Sequence, residues 1–196
     1  MSNGWESPGI SNELFDSLLG DILRYTKMGI SELEADESMA QAIFMALWDN
    51  KERKKVWASV EIIDQAGKFT DQSAVMAAAG KMAVQNGQVP IAAWWVRSAR
   101  MDMEHGVSHE GYAIIGRTDD GRVNGAFVSV IEDDAVISAY WNTEDLDENF
   151  MLDTKALDEL FDEAIKAYAE QKLGTTSEND LAKQLFRKVG RIDLGG

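Results

Sequence analysis

Three arginines and four large aromatic residues crowd one region of this chain: Arg97, Arg100 and Arg117 with Trp94, Trp95, Tyr140 and Trp141. A guanidinium is a planar fork that matches carboxylates and phosphates two bonds at a time, and aromatic rings supply flat apolar walls beside it. Together they would suit a small anionic or aromatic ligand, held by an enzyme or by a plain binding domain. Arg97 and Trp95 are two residues apart, so an extended backbone puts them on one face, and Arg117 joins them if its strand pairs in suitable register. The competing account is structural: the tryptophans fill core and the arginines pair with the carboxylates of an acidic chain.

The histidines are His105 and His109, inside Met101–Glu110 with Asp102, Glu104 and Glu110. Imidazole and carboxylate ligands could hold a divalent metal. Four-residue spacing puts both imidazoles on one side only in a helix, however, and Gly106 argues for a loop. An exposed polar connection is the simpler account, and no cofactor is expected. Ser98 and Ser108 lie nearby, but nothing marks either as a nucleophile fixed to its base. Asp145, Asp147 and Asn149 open like a calcium loop, yet Phe150 stands where the turn needs Gly and Ala156 where the shell needs Glu. Gly111–Gly116 and Gly121–Gly125 are glycine pairs not followed by Gly-Lys-Ser/Thr, so they are no phosphate loop, and Gly116 and Gly125 are better explained as bulges or close backbone contacts within the sheet.

Composition narrows the classes. The chain has 196 residues, 45% apolar and 27% charged, which suits one folded domain. The domain is expected over 11–190, between a flexible segment at 1–10 and a flexible tail at 191–196. The formal charge is −15, from 34 acidic and 19 basic residues, which disfavours direct contact with nucleic acid or an anionic membrane. There is no cysteine, hence no disulfide and no thiolate chemistry. No apolar run reaches transmembrane length and no secretory leader is evident, so a cytoplasmic location is expected.

The elements that must position these residues are mainly strands. Ile91–Arg100, Tyr112–Thr118, Val123–Ile131 and Ala135–Trp141 read as four consecutive strands. The turns Asp119-Asp120-Gly121 and Glu132-Asp133-Asp134 are too short for a parallel crossover, so the last three strands must be antiparallel. Ala93, Trp95, Arg97 and Ala99 share one face of the first strand; Trp94, Val96, Ser98 and Arg100 share the other. Both faces are partly apolar, so both must be covered, by helices or by a second subunit.

Ser11 or Asn12 caps a first helix whose face is Leu14, Phe15, Leu18, Leu19, Ile22 and Leu23. Ser31 and Glu34 have capping-box spacing for a second, with a stripe of Ala40, Ile43, Phe44, Leu47 and Trp48. The basic run 51–55 would then be a solvated connection or a complement to that helix's negative end. Val56–Ile63 alternates as a fifth strand. Thr70 or Asp71 caps a helix that Asn86-Gly87 ends. Asp153 or Thr154 caps a helix that Gly174 stops, and Ser177 starts a last one carrying Leu181, Leu185, Phe186 and Val189.

The expected fold is α+β: a mainly antiparallel sheet of four or five strands flanked by N-terminal and C-terminal helices. The expected function is binding or assembly without catalysis, with self-association to a homo-oligomer or docking to a protein partner. It rests on two apolar sheet faces, six tryptophans and no recognised catalytic motif. An alternative is an enzyme or small-ligand domain using the arginine–tryptophan face. Another is an acidic decoy that imitates nucleic acid. The residue pattern leaves catalysis open.

Overall fold

The structure, a computed structural model, describes residues 7–34, 37–62, 71–102, 106–131, 134–142, 151–174 and 186–195. The elements run α1 (Asn12–Ser31), β1 (Ala42–Asp49), β2 (Lys54–Ile62), α2 (Gln72–Gln85), β3 (Gln88–Asp102), β4 (Ser108–Thr118), β5 (Val123–Ile131), β6 (Asp134–Asn142), α3 (Met151–Lys172) and β7 (Phe186–Gly195). The fold is α+β, as expected, with helix α1 before the first strand and helix α3 after β6, but the last described element is the strand β7. The described sheet is larger than expected: seven strands in the order β6-β5-β4-β3-β1-β2-β7, every neighbouring pair antiparallel.

Two segments read as helix are strands. Of the stripe from Ala40 to Trp48, Ile43, Phe44, Leu47 and Trp48 lie in β1, a central strand between β2 and β3, and Ala40 just precedes it. Ala42 to Leu47 are all buried, with Ile43, Met45 and Leu47 packed on one sheet face and Ala42, Phe44 and Ala46 on the other. A strand covered on both faces shows no period of two, so its apolar run also satisfies a helical stripe. The basic run is therefore the β1–β2 hairpin turn at 51–53 and the first two residues of β2, not a helix end. Asp49 builds that turn by accepting from the backbone N–H groups of Lys51 (3.1 Å) and Glu52 (3.0 Å). Phe186 and Val189, assigned to a last helix, lie in β7, which runs through Gly195 and pairs with β2. The rest of that helix lies outside the described residues.

The other elements form where their local chemistry directs. Ser11 Oγ accepts from the Leu14 N–H at 3.2 Å and starts α1, whose buried face is Phe15, Leu18, Leu19, Ile22, Leu23, Thr26 and Ile30. Asp71 caps α2 through the Ala74 N–H at 3.3 Å. Gly87 and Gly174, just beyond the ends of α2 and α3, have φ of +76° and +71°, the left-handed backbone that ends a helix. Helix α3 begins at Met151, so Thr154 lies inside it rather than capping it. The predicted acidic loop at 143–150 lies outside the described residues.

The chain makes three layers. Helix α1 covers one face of the sheet, over Phe44, Trp57, Trp94, Val96 and Ile114. Helices α2 and α3 cover the other, over Ile43, Met45, Trp95, Ile115 and Phe127. The chain's own helices thus cover both apolar faces, and neither needs a second subunit to bury it. No helix among the described residues is long and apolar enough to cross a membrane.

Candidate functional site

The arginines and aromatics singled out in the sequence divide between the two sheet faces. Trp94 and Trp95 are both buried, but consecutive strand residues point to opposite sides. Trp94 faces α1. Its ring lies 4.9 Å from that of Phe15 and 5.6 Å from that of Trp57, and its Nε1 donates to Asn124 Oδ1 at 2.8 Å. It closes an aromatic row running on through Phe44 to Tyr25. Trp95 faces α2 and α3, donating from Nε1 to Gln41 Oε1 at 3.2 Å.

Arg97, Arg117 and Trp141 share the face of Trp95. The Arg97 guanidinium lies 4.9 Å from the Trp95 ring centre. Arg117, opposite Ala93, is turned into α3: its Nε is 2.6 Å from Asp158 Oδ1 and its guanidinium 5.0 Å from the Phe161 ring. Trp141 is buried opposite Gly125, where any side chain would overlap its indole. Arg97 and Arg117 therefore sit at different places on β3 and β4, each over its own aromatic ring.

Arg100 and Tyr140 belong with Trp94 on the α1 face, but not beside it. Arg100 is 67% exposed near the β3–β4 hairpin, donating to Ser108 Oγ at 2.5 Å with Asp102 at 3.8 Å. Tyr140, opposite Ala126 on β6, is 60% exposed. The seven residues do not converge on one hollow. His109 lies in β4 opposite Met101, and His105 lies outside the described residues. Among the described residues no group of three or more His, Asp or Glu side chains is placed to hold a metal ion.

Two surfaces stand out instead. The first is the sheet edge at β6, where Ile131, Val136 and Tyr140 are exposed on neighbouring strands. From Ala135 to Trp141 the strand carries no charge. The second is a cleft of about 730 Å³ between the end of α1 and the β3–β4 hairpin. Ile30, Leu33, Tyr112 and Val130 give it an apolar floor, while Glu34, Glu37, Glu110 and Arg100 line it with charge. Tyr112 Oη accepts from the Met39 N–H at 2.9 Å and so holds the α1–β1 connection over the sheet.

Neither surface announces itself in the sequence. Glu34 reads as a capping residue and Glu110 as part of a polar loop, because the elements that juxtapose them are 76 residues apart, from 34 to 110. No family model matches the chain, and no curated protein or solved structure matches it.

Proposed function

We propose that the protein is a binding and assembly protein that pairs with a second copy of itself through the β6 edge. The observation that carries this reading is an edge strand with seven consecutive uncharged residues and two exposed side chains, Val136 (42%) and Tyr140 (60%). An edge strand presents unpaired backbone N–H and C=O groups, and sheet proteins ordinarily blunt such edges with lysine, proline or inward charge. The segment 135–141 has none of these, whereas the sequence of β7, at the far edge, carries Arg187, Lys188 and Arg191.

The geometry of β6 favours one register. The pairing with β5 shifts between Phe127 and Val128, leaving Ser138 as an extra residue that breaks the alternation. A two-fold axis between Ser138 and Ala139, perpendicular to the sheet, keeps both halves of the strand in phase. Ile137 then meets Tyr140 of the second copy on the α1 face, while on the other face Val136 pairs with the backbone position of Trp141 in the second copy, whose indole stays in that copy's own core. No charge faces a like charge in this register between Ala135 and Asn142. The net charge of −15 still opposes approach at long range, so association strengthens as salt screens it.

Sedimentation velocity at two protein concentrations tests the reading. The expected result is a monomer–dimer equilibrium that shifts toward dimer between about 20 and 200 mM salt. Val136→Lys should leave a folded monomer, because lysine on an exposed edge opposes pairing without entering the core. A native chain that stays monomeric throughout, or a dimer indifferent to Val136→Lys, would overturn it.

A further inference from the structure

The cleft beside α1 has a chemistry of its own, apart from the β6 edge. Its floor is apolar and partly buried, with Ile30 5% and Tyr112 6% exposed. Its walls come from separate elements: Glu34 and Glu37 from the α1–β1 connection and Glu110 from β4. The Glu34 N–H donates to Glu37 Oε2 at 3.1 Å, which fixes that carboxylate near the wall. Helix α1 also ends here, and no basic residue in its last turn opposes the negative end of its dipole. Arg100, the cation in the lining, is turned toward Ser108 and Asp102.

Three carboxylates against one engaged guanidinium, around an apolar floor, favour an amphipathic cation. A volume of about 730 Å³ is far larger than an ion needs and falls in the range of organic ligands and short peptide segments. An anion would meet the carboxylates and the helix's negative end together. We infer that this cleft docks a short basic peptide segment of another protein, in which lysine or arginine flanks an aliphatic side chain. The aliphatic group lies on Ile30 and Tyr112, and the flanking cations reach Glu34, Glu37 and Glu110. Charge complementarity carries the assignment: the chain is acidic as a whole, and here its carboxylates surround a concave apolar surface that a matching side chain can enter.

The inference does not depend on self-association, and its test keeps the two apart. A fluorescein-labelled peptide of the form Gly-Arg-Leu-Arg-Gly is titrated into the full chain and into Val136→Lys, with binding read by anisotropy at about 50 mM salt. The same binding is expected to both, and binding confined to the native chain overturns the inference. The triple variant Glu34→Gln, Glu37→Gln, Glu110→Gln should weaken binding by about tenfold or more. Ser98→Arg, at an exposed position on the cleft wall, should do the same by adding bulk and positive charge. A matched triple elsewhere, Glu13→Gln, Glu159→Gln, Asp162→Asn, should leave binding within about twofold of native. A probe with glycine in place of leucine should bind at least about fivefold more weakly, since it loses the apolar contact. No binding, equal loss in the two triples, or equal affinity for the glycine probe would each overturn the inference.

Discussion

Gly80 of α2 and Leu160 of α3 meet backbone to backbone where the two helices cross. A side-chain carbon at Gly80 would overlap the carbonyl oxygen of Leu160 and press on the Ala164 nitrogen. This contact sets how closely α2 and α3 lie together on the sheet, over Met76, Ala79, Leu157 and Phe161.

Gly80→Ala should therefore destabilise the protein, against the usual trend. In an exposed helix interior the change gains about 1 kcal/mol from helix propensity. Here the obstacle is backbone, which cannot rotate away, and overpacking of this kind costs about 1–3 kcal/mol. Urea unfolding should show a lower midpoint. A midpoint at or above that of the native chain would mean that the helices can separate freely.

Trp94 and Asn124 form a buried pair in which one partner exists to satisfy the other. The indole donates at 2.8 Å, and Asn124 Nδ2 in turn donates to Asp16 Oδ1 at 3.1 Å, which links β3 and β5 to α1. Trp94→Phe removes the donor and leaves a void, so a loss of about 2–4 kcal/mol is expected. Asn124→Ala leaves the indole N–H buried and unsatisfied and should cost about 1–3 kcal/mol. The double variant should cost less than the sum, and additive losses in denaturant unfolding would show that the bond is not energetically coupled.

Arg117 and Asp158 tie β4 to α3 at 2.6 Å, with Arg117 half-buried and Asp158 more exposed. Partial exposure keeps such a pair modest, so a double-mutant cycle with Arg117→Met and Asp158→Asn should give a coupling of about 0.5–1.5 kcal/mol. Arg117→Met alone should retain much of the packing on Phe161, because the arginine stem already lies against apolar surface. A coupling near zero would assign the contact to packing alone.

Asp120 gives stability a defined acid limb. Burial raises its pKa, but hydrogen bonds from Arg122 and Thr118 and the charge of Arg122 outweigh that and hold it below the ordinary carboxylate value. Arg122 also donates to the Ile10 carbonyl at 2.7 Å and to Asn12, so this turn anchors the approach to α1. As pH falls, the unfolded chain takes up the proton first, near pH 4. The contribution of Asp120 is thus full above that value and is lost as pH falls through the lower folded-state pKa. Asp120→Asn should be less stable than the native chain at pH 6, and the gap should narrow as pH falls below about 4. A gap that stays constant across urea titrations at these pH values would contradict the assignment.

The candidate site shows how far local pattern reaches. Arg97, Arg117, Trp95 and Trp141 do share a face, as alternation along the strands implies. Alternation says nothing of position along that face, and the arginines are spent on separate rings of Trp95 and Phe161. The cleft was not legible at all, because it joins the end of α1 to β4 across the sheet, and only strand order creates that meeting.

What the sequence determined by itself is the set of structures that local chemistry specifies. The strands β3 to β6 follow from their apolar runs, and the antiparallel order of β4, β5 and β6 follows from turns too short for crossover. Helices α1 and α2 follow from the caps at Ser11 and Asp71, and the end of α2 follows from Asn86-Gly87. Tertiary structure alone decided β1, β7 and the order of the sheet. The run from Ala42 to Leu47 is apolar at every position, so its backbone dihedrals are chosen by partners on both sides, β2 and β3, and by helices above and below. Those partners are distant in sequence, and the burial they provide outweighs a local helical preference of a few tenths of a kcal/mol per residue, about the size of intrinsic propensity differences.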